Sequence, residues 1–339
     1  MGETGKQKTV KMPLNKIVFF PPWLALIAMV VVSLTNEEAF LNGLNAVTNW
    51  ILENFTWAFN LTTLACLITV VVIYFSPFAK VRIGGRKARP IMSFMNLVWI
   101  TLCTTIAAGF LFWACAEPMY HLYAPAAFEG VEAGSPGAAM FAMKTMFLEW
   151  TWSPYAIYTT ATLIFAFVFY NMKQKYSMGS VLVPAFGPKV TKLNNLIDVI
   201  CLFALVAGMA ASLGTGTLTI AGGIQNVFGI KSNPTLWAAV IAVIVITFVT
   251  SSVSGIMNGI RILSDINAKA YMILFVFLII FGPTAFMLNF SVESYGAYLR
   301  DFLPMSLSTG EIFGESWARS WPVFYWCNWM SWTPITAIF

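Results

Sequence analysis

Four tryptophans lie close together in residues 321–339: Trp321, Trp326, Trp329 and Trp332. At about 100° per residue of α-helix they fall within an arc of about 140°, with Asn328 at its edge. Such a surface has two interpretations. It can pack or face lipid, because tryptophan is common near membrane interfaces. It can also receive a cation without N–H donors, since the indole face attracts quaternary ammonium.

The composition indicates the class of protein that must position these rings. Of the 339 residues, 59% are hydrophobic and 10% are charged, whereas a soluble domain has roughly 25% charged residues. Apolar runs near the ~20 residues that cross the hydrocarbon recur along the chain. The sequence therefore predicts an all-α polytopic membrane protein with the lipid bilayer around it.

Residue counts disfavour several other kinds of site. His121 is the single histidine, so a His-based metal site or catalytic triad is not expected. The five cysteines fall in apolar segments and show no metal-ligand spacing. No G-x-x-x-x-G-K-[ST] phosphate loop is present. We expect no enzyme, no cofactor and no nucleic-acid partner.

Eight membrane spans are predicted, with boundaries good to a few residues. Their approximate bounds are 17–34, 56–75, 94–116, 140–170, from 196, 236–253, 271–289 and from 321. The third should stop at Pro118, and the fourth should bend at Pro154, because proline removes a backbone donor. The first two spans are joined by an acidic stretch that is read as a loop. Glycines of the fifth span, Gly208 among them, allow close helix contact.

The basic residues predict the orientation. With the N-terminus inside, the inner segments hold fifteen of the nineteen Lys and Arg residues, notably in Lys80–Arg89 and Lys173–Lys192. Cytoplasmic loops carry this excess in membrane proteins. We therefore expect a multi-pass protein of the cell (inner or plasma) membrane with a cytoplasmic N-terminus.

A series of motifs, in order from about residue 76 onward, resembles the betaine/choline/carnitine transporter family. The eighth-span stretch F-Y-W-C-N-W-M-S-W-T-P is similar to that family's F-Y-W-x-W-W-x-S-W-x-P. The other matching stretches are S-P-F-A-K-V-R-I-G-G-R-K-A-R-P-I-M-S, A-E-P-M-Y-H, W-T-W-S-P-Y-A-I-Y, S-L-G-T-G, G-I-R-I-L-S-D-I-N and F-G-P-T-A-F-M-L-N.

The resemblance implies the inverted-repeat fold of the leucine-type transporters, in which substrate binds near broken helices at mid-membrane. Residues 1–16 would be a cytoplasmic tail, and 17–93 two accessory spans with a basic loop. The first five-helix repeat would be 94–289, followed by an extracytoplasmic helix and loop at 290–320. The second repeat would only begin, at 321–339, so the C-terminal third of the family fold is expected to be missing. We expect residues 1–339 alone not to transport.

The resemblance also assigns substrate contacts. Trp329 would close an aromatic box with the fourth-span rings, and Trp332 would be a main cation–π partner. Asn328 stands where the family often has tryptophan; it could meet a substrate carboxylate or hydroxyl, or be a satisfied polar core residue. The complete set carried over to this chain is Trp150, Tyr155, Tyr158, Trp326, Asn328, Trp329 and Trp332.

The coupling ion stays open. The betaine carriers' G-x-G-x-G appears here as T-I-A-A-G, which leaves Ile106 and Gly109 as weak candidates for a sodium site. Coupling to Na⁺, to H⁺ or to substrate exchange is compatible with the sequence. Glu149 is a functional candidate, because ionisable groups in membrane spans are energetically costly and usually have a functional role. It could equally pair with Lys144.

These observations predict a secondary transporter for a trimethylammonium compound such as glycine betaine, choline or carnitine. The alternative is a truncated, non-transporting relative or a fragment that acts as a sensor or subunit. A homotrimer is expected by family analogy alone.

Overall fold

The computed structural model of the chain describes residues 14–90, 92–105, 110–255, 259–311 and 316–338. Within these ranges every regular element is a helix. Six helical segments are long and apolar enough to cross a membrane, one of them the combined stretch Pro136–Asn171, and Phe94–Cys103 forms a shorter apolar helix. The prediction of an all-α polytopic membrane protein is confirmed.

The described ranges contain α-helices of very different lengths. They are α1 (Lys16–Thr35), α2 (Glu37–Phe75), α3 (Phe94–Thr105), α4 (Phe110–Tyr123), α5 (Pro136–Trp150), α6 (Trp152–Ala166), α7 (Val183–Phe186), α8 (Asn194–Phe228), α9 (Pro234–Val253), α10 (Arg261–Phe281), α11 (Thr284–Leu307) and α12 (Phe324–Ile338). π-helical turns follow α6 at Phe167–Asn171 and precede α12 at Arg319–Val323. The third predicted span corresponds to parts of α3 and α4, and the eighth to the π-helical turn at Arg319–Val323 together with α12.

The acidic stretch before the second span is helical, so its interpretation as a loop was wrong. α2 runs for 39 residues and includes Glu37, Glu38 and Glu53. The Asn36 side chain caps its start by accepting a hydrogen bond from the Ala39 N–H at 3.0 Å. Carboxylates in the first turn also interact favourably with the positive end of the helix dipole. Capping and charge together let the helix begin well before its apolar part.

Two prolines behave differently. Pro118 lies inside α4, which continues to Tyr123, so the predicted stop at this residue was wrong. Membrane helices tolerate proline where neighbouring groups satisfy the backbone carbonyl that it leaves without a donor.

The fourth span is interrupted at Thr151, where φ is −120° and ψ is −107°. Pro154 has no N–H to donate to the Trp150 carbonyl, so the interruption falls where this backbone hydrogen bond is missing. The structure thus interrupts the helix near the proline where a bend was predicted.

The seventh span begins and ends earlier than its apolar run indicated. α10 starts at Arg261, and its Lys269 side chain donates to Asp265 at 2.6 Å, one turn away. Gly282 and Pro283 then separate α10 from α11. The polar helix expected within 290–320 is the second part of α11, which begins at Thr284.

Extensive contacts join α12 to α6 and α8, α5 to α4 and α11, and α2 to α6. The buried core residues come mainly from α5, α6, α11 and α12. Many side chains of the outer helices are apolar and exposed, such as Val243 at 65% and Ile273 at 71%. Exposed apolar surface on this scale fits contact with lipid.

Candidate functional site

A cavity of about 240 Å³ lies between α12 and the helices α4, α5 and α8. Its walls are mostly aromatic rings, with a few polar side chains among them. The lining residues are Trp113, Trp150, Gly208, Ala211, Ser212, Thr215, Ser320, Trp321, Phe324, Tyr325, Asn328, Trp329 and Trp332. Four residues of the predicted substrate set therefore share one cavity: Trp150, Asn328, Trp329 and Trp332.

Trp329 is the centre of the aromatic packing. Its ring centroid lies 5.1 Å from that of Trp150, 5.7 Å from Tyr158 and 5.9 Å from Tyr325. Its indole N–H donates to the backbone carbonyl of Glu149 at 3.2 Å. Interlocked rings of this kind hold one another's orientation, so the Trp329 wall of the cavity is rigidly placed.

The two tyrosines of the predicted set do not line the cavity. Tyr158 is buried behind Trp329, whereas Tyr155 is 39% exposed and its ring lies 6.5 Å from that of Tyr158. The helix is interrupted at Thr151, between Trp150 and the two tyrosines, so Trp150 and these tyrosines belong to different helices, α5 and α6.

Trp326 is likewise outside the cavity. It is fully buried, and its indole N–H donates to the Asn60 side-chain oxygen of α2 at 3.1 Å. Asn60 also donates to the Ser308 carbonyl at 2.8 Å. Trp326 thus joins α12 to α2 in the core, because its N–H finds a buried acceptor there.

α8 contacts α12 closely at one side of the cavity. A Cβ atom added to Gly208 would lie 3.0 Å from Ser331 Oγ and 3.2 Å from Trp332 Nε1. Asn328 is half-buried beside these residues and, with Ser212 and Thr215, supplies the polar part of the lining. The cavity therefore combines aromatic faces with amide and hydroxyl groups.

Two expectations about ions have different outcomes. Ile106 and Gly109, the weak sodium candidates, lie outside the described residues. Lys144 does not pair with Glu149; its Nζ lies 2.6 Å from Glu129 Oε1 and 2.9 Å from Asp301 Oδ2. The alternative of a Lys144–Glu149 ion pair was therefore wrong.

Sequence reasoning missed a polar cluster beside the cavity, which we call the Glu117 cluster and define as Glu117, His121 and Glu149. One carboxylate oxygen or ring nitrogen from each lies within 4.8 Å of the others, and all three residues are fully buried. Glu117 Oε2 accepts hydrogen bonds from the Trp150 N–H at 3.0 Å and from the Tyr325 hydroxyl. The four-residue spacing from Glu117 to His121, which places both on one helix face, was the available signal.

Comparison with known proteins agrees with this architecture. The profile described as "BCCT, betaine/carnitine/choline family transporter" matches residues 17–339. An ectoine/hydroxyectoine transporter from Virgibacillus pantothenticus is 30% identical, over 97% of this chain and 65% of its own length. Glycine betaine transporter 1 from Vibrio parahaemolyticus is 33% identical, over 93% of this chain and 60% of its own.

A further relative is the glycine betaine transporter OpuD from Bacillus subtilis, 29% identical over 92% of this chain and 61% of its own length. The chain thus spans about 60–65% of the length of these relatives. The family profile nevertheless covers almost all of it. By this match the chain belongs to BCCT, the betaine/carnitine/choline family of transporters.

Proposed function

We propose that the aromatic cavity is the substrate site of a secondary transporter for a trimethylammonium compound such as glycine betaine, choline or carnitine. The observation that carries this proposal is the meeting of Trp150, Trp329 and Trp332 around one space of about 240 Å³. Each indole face attracts such a cation by about 0.5–2 kcal/mol. The rings offer no acceptors for N–H groups, so a methylated cation suits them better than a primary amine.

The polar lining supports a zwitterionic or hydroxylated substrate. Asn328 has an amide group that can donate to a carboxylate or exchange hydrogen bonds with a hydroxyl. It lies on the same helix as Trp329 and Trp332 and lines the same cavity. We assign the cationic head to the tryptophans and the polar tail to Asn328.

Transport would proceed by alternating access, in which one helix bundle moves against the rest around a mid-membrane site. We place the N-terminus in the cytoplasm and the protein in the cell membrane, because of the distribution of Lys and Arg. Coupling would be to Na⁺, to H⁺ or to exchange of one substrate for another. A homotrimer is proposed by family analogy alone.

Binding of chosen analogues tests the proposal. Purified protein in lipid nanodiscs would be titrated with glycine betaine, choline and carnitine, and with dimethylglycine and glycine as matched controls. We expect the trimethyl compounds to bind at least about tenfold more tightly than glycine, a difference of about 1.4 kcal/mol. Equal affinity for glycine and glycine betaine would contradict the aromatic site.

Ectoine belongs in the same series, because one relative is an ectoine/hydroxyectoine transporter. Its cyclic amidinium has N–H donors, which the Asn328 carbonyl could accept. Uptake by cells that express the gene then separates a transporter from the alternative, a non-transporting sensor or subunit. Tight binding with no uptake would favour the alternative.

A further inference from the structure

The Glu117 cluster buries ionisable side chains that have few hydrogen-bond partners. Glu117, His121 and Glu149 are all fully buried. In the part of the chain that the structure describes, both carboxyl oxygens of Glu149 and both ring nitrogens of His121 lack a hydrogen-bond partner, as does Glu117 Oε1. Two ionised carboxylates in such a setting are strongly unfavourable unless a positive charge or a proton joins them.

Among the residues that the structure describes, the neighbouring charged groups do not supply that charge. On α5, Lys144 is bound to Glu129 and to Asp301 of α11. On α4, His121 Nε2 is 3.9 Å from Glu117 Oε1, too far for a hydrogen bond. From α12, Tyr325 donates its neutral hydroxyl to Glu117 Oε2.

We propose that Glu117 and Glu149 bind one proton between them and release it to solvent when a cationic substrate enters the aromatic cavity. This inference rests on the proposed function, since it needs a cation in that cavity. It names the proton as the ion whose binding is linked to the substrate. Like charges held this close share a proton because both cannot be ionised at little cost.

Two side chains connect the proton site to the cavity. Trp150 and Tyr325 both line the cavity with their rings, and both donate to Glu117 Oε2. A cation against those rings lies one side chain away from the carboxyl pair. It stabilises the doubly ionised pair and disfavours the proton. Linkage is reciprocal, so the proton weakens binding of the cation by the same factor.

Choline is the probe that isolates this effect, because its charge does not change with pH. Choline would be titrated into the protein in nanodiscs by calorimetry between pH 5 and 10. Buffers of different ionisation enthalpy would report the protons exchanged. We expect release of up to one proton per choline bound, with affinity rising by up to about tenfold per pH unit where release is largest.

Single substitutions identify the groups involved. Glu149→Gln removes the second carboxylate, so choline should still bind, without proton release and with a flat pH profile. Glu117→Gln should also abolish release, which covers the case in which the first variant does not fold. Glu132→Gln, an exposed residue between α4 and α5, is the matched control and should keep the wild-type proton count. His121→Gln should keep the release as well.

Several results would overturn the inference. They are proton uptake, choline binding with no proton exchange at any pH, loss of release in His121→Gln alone, and a stoichiometric metal ion in the purified protein by mass spectrometry. Choline that does not bind at all would remove the proposed function, and this inference with it. Binding without release would overturn the inference alone.

Discussion

Gly208 of α8 lies so close to Trp332 of α12 that a Cβ atom added to it would be 3.2 Å from the indole Nε1 and 3.0 Å from Ser331 Oγ. Few real Cβ contacts are so short. The absence of a side chain at this position therefore sets the distance between the two helices that form one wall of the cavity.

We expect Gly208→Ala to push Trp332 and to weaken choline binding at least about threefold, since overpacking typically costs 1–3 kcal/mol. Gly214→Ala is the matched control on the same helix, because its added Cβ meets nothing within 4 Å. Isothermal titration of both variants measures the difference. Equal choline affinities of the two variants would mean that α8 and α12 accommodate the added Cβ without a change in the site.

Trp332→Ala should weaken binding of a trimethylammonium ligand by roughly 1 kcal/mol or more, and Trp332→Phe by less, because the phenyl face attracts cations more weakly. Trp57→Ala is the control, since that ring is 59% exposed on α2. Titration with choline gives the affinities. Full affinity in Trp332→Ala would remove Trp332 from the site.

Trp326 should behave as a core residue. Asn60→Leu leaves the Trp326 N–H without its acceptor, and a buried unpaired donor costs about 1–3 kcal/mol. We expect a lower melting temperature in detergent, with choline affinity unchanged in the folded fraction. Trp326→Phe should show the same pattern. A large loss of affinity with unchanged stability in Trp326→Phe would instead place this ring in the binding site.

The ion pairs of Lys144 predict a pH-dependent stability. Hydrogen bonds from Arg300 and then from Lys144 lower the pKa of Asp301 to about 2, from an ordinary value of 3.8. Because the folded-state pKa is the lower one, this stabilisation is complete above about pH 4 and is lost as the pH falls towards 2.

Lys144→Met should therefore destabilise the protein by about 1.5–3 kcal/mol at pH 7, and the difference from wild type should shrink as the pH falls towards 2. Lys269→Met is the control, because the Lys269 side chain is 68% exposed in its pair with Asp265 and such pairs contribute about 0–1 kcal/mol. Thermal unfolding in detergent at several pH values measures both. A stability difference between Lys144→Met and the wild type that grows as the pH falls would contradict the assigned ion pairs.

The orientation can be tested by labelling single cysteines in a variant without the five native ones. Arg86→Cys and Lys189→Cys lie at exposed positions in the two basic loops, and we expect both to resist a membrane-impermeant maleimide on intact cells. Glu132→Cys should react. Strong labelling of both loops from outside would reverse the proposed topology, which rests on the Lys and Arg distribution.

Much of the fold was predictable because apolar runs and prolines act locally. The run that became α9, at Pro234–Val253, was placed within two residues of its bounds, and the interruption near Pro154 followed from its missing N–H. The extension of α2 was missed, because Asn36 and two glutamates look like a loop until their capping role is seen. Likewise, the pairing of Lys144 with Glu129 and Asp301 joins α5 to residues distant in sequence.

The sequence by itself determined the membrane class and the family, since both depend on composition and on motifs read in order. It also marked the tryptophans of α12 as candidates. Only the tertiary structure decided the surroundings of each ring: Trp329 and Trp332 line the cavity, whereas Trp326 is in the core and donates a hydrogen bond to Asn60. The reason is physical. A helical angle gives a side chain's direction about its own axis, but the neighbour in that direction depends on how the other helices pack, and Glu117 meets Glu149 only through that packing.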